Sequence, residues 1–253
     1  MTAPGRTTPW LRRSAGREAA DVRLFCFHHA GGTAATYREW PRLMPASIEP
    51  IAVQLPGRAE RFSEPAVDSM PALVEALADE LAPLLDQPFA FYGLSMGGGL
   101  AWALAHRLRA RGLPAPSSLY LASTAAPSLE EEHKLRWRDD LVGYLRTMGG
   151  TPPEVFALPE FLASLLPTLR ADLTAVDSFR FRPSSPLDVP IHAFAGTQDA
   201  EGGPERMSGW RSETTARFDL DLVQGGHFFD PAGELRVIRT VTAGLLAGAS
   251  SSR

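Results

Sequence analysis

A chain of 253 residues, 44% hydrophobic and 21% charged, falls in the range of one large soluble domain with a substantial core. Its formal net charge of -4 gives no electrostatic footprint for nucleic acid, and no stretch approaches the ~20 apolar residues of a membrane span. Cys26 is the only cysteine, which rules out an intrachain disulfide and points to a cytoplasmic setting.

Residues 1–20 lack an apolar signal core and read as a flexible leader, with Trp10 and Leu11 able to tuck against the body. Residues 21–253 then read as a single domain. Strand-like runs rich in Val, Ile, Phe, Tyr and Leu recur at about 22–27, 48–53, 89–94, 118–123, 189–195 and 217–223. Cys26 falls in the first of these and reads as a small buried hydrophobe. Between the strands lie helical patterns. Ser69 and Pro71 open one that runs to Leu85, with Ser69 as N-cap. Another covers Met96 to Arg109, and the last covers about Ala232 to Leu246. Strands alternating with helices predict crossover connections and a mostly parallel sheet, an α/β architecture.

One interval breaks that alternation. About 65 residues separate the strands near 120 and 192, far more than a single crossover helix needs. Glu130–Met148 and Pro159–Phe179 are helical in pattern within it, joined by Gly149-Gly150-Thr151-Pro152-Pro153. An insertion of about 127–185 on the side where strand ends carry functional loops reads as a helical lid.

Gly93-Leu94-Ser95-Met96-Gly97 follows a strand and precedes a helix. This is G-x-S-x-G in the setting that makes it a nucleophile elbow, and it predicts the α/β-hydrolase fold. Ser95 then sits on a strained turn, flanked by glycines because the turn leaves no room for side chains. A serine hydroxyl needs a base. Of the six histidines, His106, His133 and His192 fall in a helix, the lid and a strand. His227 follows the last strand behind Gly225-Gly226 and suits the chain order of this fold. Asp199, in the loop after the 189–195 strand, is the expected acid; Asp172, Asp177 and Asp188 are its competitors. The strand end Leu121-Ala122-Ser123-Thr124 carries no carboxylate. The oxyanion needs two backbone donors. Met96 is the first, and Ala30 in His28-His29-Ala30-Gly31-Gly32 is the second, with His29 as the alternative. His29, Leu94 and Phe228 are the expected substrate contacts.

Together with Trp10-Leu11, Gln54-Leu55-Pro56-Gly57-Arg58, Leu169-Arg170-Ala171-Asp172 and Gly225-Gly226-His227-Phe228-Phe229, these motifs make the chain resemble the type II thioesterases of polyketide synthases and nonribosomal peptide synthetases. The resemblance covers nearly the whole chain. It implies a stand-alone cytoplasmic enzyme that removes stalled or misprimed acyl groups from the phosphopantetheine thiol of acyl or peptidyl carrier proteins. It also implies Ala30 and Met96 as oxyanion donors, a lid that shapes an acyl chamber, transient carrier contacts by a monomer, no metal, and no cofactor beyond the substrate's own phosphopantetheine. Leu94 stands where the family often has His, and Gly98-Gly99 where it often has Ala. Arg58 is read first as a structural ion pair, with a phosphate of the pantetheine arm as the alternative, and Arg58 and Arg61 are candidates for docking the acidic carrier. The other readings are an esterase or product-releasing cyclase on the same fold, and a non-catalytic carrier-binding scaffold.

Overall fold

The computed structural model describes residues 8–127, 137–179 and 185–251. The elements in chain order are β1 (Leu11–Arg13), β2 (Val22–Phe27), α1 (Trp40–Leu43), β3 (Ile48–Val53), α2 (Met70–Leu81), β4 (Phe89–Leu94), α3 (Met96–Ala110), β5 (Leu119–Ala122), α4 (Leu141–Met148), α5 (Pro153–Phe156), α6 (Pro159–Ser178), β6 (Ile191–Gly196), α7 (Pro204–Ser208), β7 (Phe218–Val223) and α8 (Pro231–Ser251). One seven-stranded sheet runs in the order β1-β3-β2-β4-β5-β6-β7. All pairings are parallel except β1 with β3. This is the mostly parallel α/β sheet expected from the alternation of elements, in the α/β-hydrolase form expected from the elbow.

Period-two alternation explains how the sheet is covered on both faces. Phe25, Phe27, Ile51, Val53, Phe91 and Leu121 face the helices that carry Leu73, Leu77, Leu100 and Leu104. Leu24, Cys26, Ala52, Ala90 and Tyr92 face the other way, against Trp40 of α1 and Val237, Ile238 and Val241 of α8. Cys26 is fully buried there, and burial pushes its thiol pKa well up. Ser69 caps α2, its side chain accepting from the Ala72 N–H.

Two expectations are corrected by this fold. From residue 8 onward the leader is part of the body. Leu11 pairs with Val53 in an edge strand and is 2% exposed. Only three residues long and carrying Arg12 and Arg13, this strand is too short and too charged to show alternation. Residues 1–7 lie outside the described residues. Within the insertion, Glu130–Met148 is not one helix over its described part. Trp137–Asp139 form a turn, and Asp140 starts α4 by accepting the Gly143 N–H at 2.8 Å. Glu130 and His133 lie outside the described residues.

Candidate active site

β4 runs into α3 through Ser95, whose φ of 54° and ψ of -122° no unstrained L-residue adopts. Two constraints hold that turn. The Ser95 N–H donates to the Ala122 carbonyl at 2.8 Å, and the Ser95 carbonyl accepts from Gly98 at 2.8 Å. The glycines are required by contact. A Cβ on Gly93 would overlap the Gly97 carbonyl, and one on Gly98 would overlap the Thr124 side chain.

The loops after β6 and β7 bring the other two groups to the same place. Gln198 N–H donates to Gly225 O at 2.8 Å, and the main chain at Gly196 lies close against Gly226. His227 Nδ1 lies 2.9 Å from Asp199 Oδ2, and its Nε2 lies 2.9 Å from Ser95 Oγ. A carboxylate only accepts, so Nδ1 carries the proton and Nε2 is free to receive one from Ser95. Burial acts to raise the Asp199 pKa. The hydrogen bond and charge of His227, together with the Gly202 and Glu201 amides, outweigh burial and hold it below the usual carboxylate value. It is therefore ionised when the base works.

Among the described residues, none of the competing groups reaches this point. Asp172 is paired with Arg58, Asp177 with Trp137 and Arg138, and Asp188 accepts a long contact from Thr215 at 3.4 Å. His192 pairs with Asp221 and stacks on Phe194, and His106 packs on Trp102 beside Arg109. Ser123 closes the end of β5 in a left-handed conformation, φ 49°, tight against Gly202.

Two amides of the loop after β2 are already engaged. Gly31 N–H donates to Asp172 at 2.7 Å, and Gly32 N–H donates to the His29 carbonyl at 3.0 Å. Neither amide is therefore available to a substrate. Ala30, just before them, lines the cavity beside Ser95, as does Met96 at the first turn of α3.

Two cavities meet at Ser95 and share Ala30, Tyr144, Met148, Leu173 and His227. The first runs between the start of α3, the end of β5 and the lid, past Met70, Thr124, Trp137 and Val176. The second runs under α4 and α6, past His29, Leu145, Gly150, Leu165, Leu169 and Phe228. His29 packs edge-on against Phe228 at 4.8 Å. Burial, followed by the charges of His227 and Arg58, lowers its pKa to about 4, so it faces the cavity uncharged. The lid's apolar side chains divide by role. Leu145, Leu165 and Leu169 line the second cavity. Leu141 and Leu166 pack in a small lid core with Trp137 and Leu173, and Phe161 is exposed.

Two expected contacts, Leu94 and Arg61, are corrected, and the reading of Arg58 is narrowed to one. Leu94 lines neither cavity. It shares a sheet face with Ala90 and Tyr92 and packs toward the α1/α8 side. Arg58 is 4% exposed and forms a bidentate pair with Asp172 at 2.6 and 2.7 Å, the structural ion pair read first from the sequence, and it is not placed to dock a carrier. Arg61 is also 4% exposed, held by Glu64 and the Gln54 carbonyl and stacked on Trp10. Neither is a surface cation. Sequence reasoning missed Tyr144, Met148 and Leu173 as shared walls of the two cavities. No spacing pattern marks a residue that two cavities share.

A serine on a strained strand-to-helix turn, with a histidine and a carboxylate on the next two strand-end loops, defines a hydrolase of the α/β-hydrolase fold. Within that class the chain belongs to the thioesterase family, whose thioesterase domain matches residues 22–244, and it acts on thioesters. It is 39% identical to LgrE, the linear gramicidin dehydrogenase of Brevibacillus parabrevis, over 87% of this chain and 86% of that one. The thioesterase RedJ of the prodiginine pathway in Streptomyces coelicolor superposes with a TM-score of 0.84 at 34% identity, covering 90% of this chain and 87% of RedJ. BorB, a type II thioesterase from the borrelidin cluster, superposes at 0.80 with 31% identity over 97% and 99% of the two chains. The name LgrE bears is that of a redox enzyme. The matched family and the names of RedJ and BorB agree with the Ser–His–Asp geometry here. No helix among the described residues is long and apolar enough to cross a membrane.

Proposed function

We propose that Ser95, His227 and Asp199 are a catalytic triad that hydrolyses acyl groups from the phosphopantetheine arm of acyl or peptidyl carrier domains. Ser95 Oγ attacks the thioester carbonyl while His227 Nε2, 2.9 Å away, takes its proton. The tetrahedral oxyanion is received by the amides of Ala30 and Met96. His227 then returns the proton to the departing thiol. Water, activated by the same imidazole, cleaves the acyl-serine ester.

The observation that carries this reading is the junction of two cavities at one serine. An acyl-carrier substrate has two long arms on its reacting carbonyl, and each needs a channel. The first cavity, walled by the sheet and the lid, suits the acyl chain. The second borders the half-exposed Leu165 and the Gly149-Gly150 turn, where a tethered arm enters from outside. The similarity to RedJ and BorB supports removal of aberrant or stalled chains on such an assembly line, in the cytoplasm.

The test compares one acyl group on a carrier protein, on a truncated pantetheine and as a simple oxygen ester. The expected order of kcat/KM is carrier, then pantetheine, then ester, because remote contacts orient the reacting carbonyl. Equal efficiency on the oxygen ester would make the protein a small-molecule esterase instead.

A further inference from the structure

The segment Phe27–Gly32 contains a second set of buried polar groups that takes no direct part in the triad. The peptide units on both sides of Ala30 are held. The His29 carbonyl accepts from His28 Nδ1 at 2.8 Å and from Gly32 N–H at 3.0 Å. The Gly31 N–H donates to Asp172 Oδ2 at 2.7 Å. Since C=O and N–H of a trans peptide point in opposite directions, two donors on the His29 oxygen set the direction of the Ala30 N–H. They also polarise that peptide, which makes its N–H a stronger donor.

Asp172 is fully buried and belongs to α6 of the lid, far along the chain from the loop it holds. Its Oδ2 receives both Gly31 N–H and Arg58 Nη1, and its Oδ1 receives Arg58 Nη2. Arg58 in turn donates to Gly32 O at 3.3 Å and Pro56 O at 3.1 Å. Thr168, one helical turn before Asp172, donates to Gly57 O at 2.7 Å, and Leu169 closes over Gly31. Gly31 itself has a φ of 75°, which glycine adopts readily but which leaves it many alternatives.

We infer that Asp172 is a positioning residue for the oxyanion hole, through which seating of lid helix α6 aims the Ala30 amide at the developing oxyanion. This goes beyond the proposed function but rests on its reading of Ser95 as the nucleophile. Without the carboxylate, Gly31 N–H and Arg58 lose their shared acceptor, and the Ala30–Gly31 peptide, which adjoins the His29–Ala30 peptide that carries the Ala30 N–H, is free to rotate.

Two ligands separate positioning from packing. A trifluoromethyl ketone analogue of an acyl-pantetheine forms a tetrahedral adduct with serine and needs the oxyanion hole. The thioether of the same length binds without one. Asp172→Asn should weaken the ketone at least about tenfold, in line with the loss of one oxyanion donor, while thioether affinity stays within about twofold. Because Asp172→Asn leaves Arg58 buried and underpaired, the double variant Arg58→Met with Asp172→Leu removes the pair and keeps the volume. Replacement of this kind is often neutral for stability. The double variant should retain the wild-type melting temperature and still show the ketone-specific loss.

Equal weakening of both ligands would overturn the inference and make Asp172 a cavity-packing residue. So would full ketone affinity in either variant. A wild-type protein that bound ketone and thioether equally would overturn the reading of Ser95, and this inference with it.

Discussion

Gly97, in the first turn of α3, backs onto the main chain of Phe27 so closely that a Cβ there would overlap the Phe27 carbonyl oxygen. This contact sets the distance between the elbow and the strand that leads into the oxyanion loop. Gly99, two residues on, has open space where its Cβ would stand and lines the first cavity.

Gly97→Ala should therefore lower the melting temperature markedly and remove most activity. Gly99→Ala should be as stable as wild type or more stable by up to about 1 kcal/mol, since alanine is the better helix former. Thermal melts of the two variants check this. Equal melting temperatures would mean that the elbow yields at Phe27.

Removal of the nucleophile, Ser95→Ala, should abolish fluorophosphonate labelling and nearly all turnover with the fold retained. His227→Ala should match it, because residues acting as one unit are non-additive. Asp199→Asn keeps the shape but favours the wrong imidazole tautomer, and should cost on the order of 10⁴-fold in kcat. Near-normal turnover in Asp199→Asn would reassign the acid.

Chain length should be set in the first cavity. Val176→Phe narrows that space and should shift preference to shorter acyl groups, with the rate on a short acetyl-type substrate little changed. Leu145→Phe, in the second cavity, should raise KM for all chain lengths alike. The opposite pattern would exchange the two assignments. One methylene in an apolar pocket is worth about 1–3 kcal/mol, so effects of roughly 10- to 100-fold are expected.

Acid should destabilise the protein through its buried neutral histidines. His29 titrates at about 4, lowered by burial and by the charges of His227 and Arg58. His28 is also driven well below its usual value, chiefly by burial. Unfolded histidine titrates near 6.5, so between about 6.5 and 4 the unfolded chain binds more protons. The stability is fully present above that window and is lost as pH falls through it. Urea midpoints measured across that range should fall with pH, and more shallowly in His29→Gln. An unchanged slope in that variant would show that His29 titrates normally.

Carrier affinity should not depend on Arg61, which is buried against Glu64 and Trp10. Arg61→Ala should lower the melting temperature and leave the salt dependence of kcat/KM unchanged. Arg146 and Arg170 are exposed on the lid, stacked on Phe156 and Trp137. Replacing both with alanine should flatten the salt dependence for carrier substrates. If Arg61→Ala alone flattened it, carrier docking would lie on the Arg58–Glu64 loop.

By itself the sequence determined six strands, the long helices α2, α3, α6 and α8, the elbow and all three groups of the Ser–His–Asp cluster. These signals are local. Alternation records which faces are buried, Gly93 and Gly97 record a turn with no space for side chains, and His227 and Asp199 each stand just beyond a strand whose end the parallel sheet aligns with the others. Only the tertiary structure decided what Asp172 meets, because nothing in a linear reading joins it to Arg58 and the Gly31 amide. It also turned Arg61 from a surface cation into a buried one, supplied Arg58 with its partner, moved Leu94 out of the pocket, and gave Leu11–Arg13 a place on the sheet edge. Each of these depends on a contact distant in the chain, Arg61 on Trp10 as well as on nearby Glu64. A local pattern records how a residue meets its immediate neighbours; which distant chain fills the remaining space is settled only when the lid folds down onto the sheet.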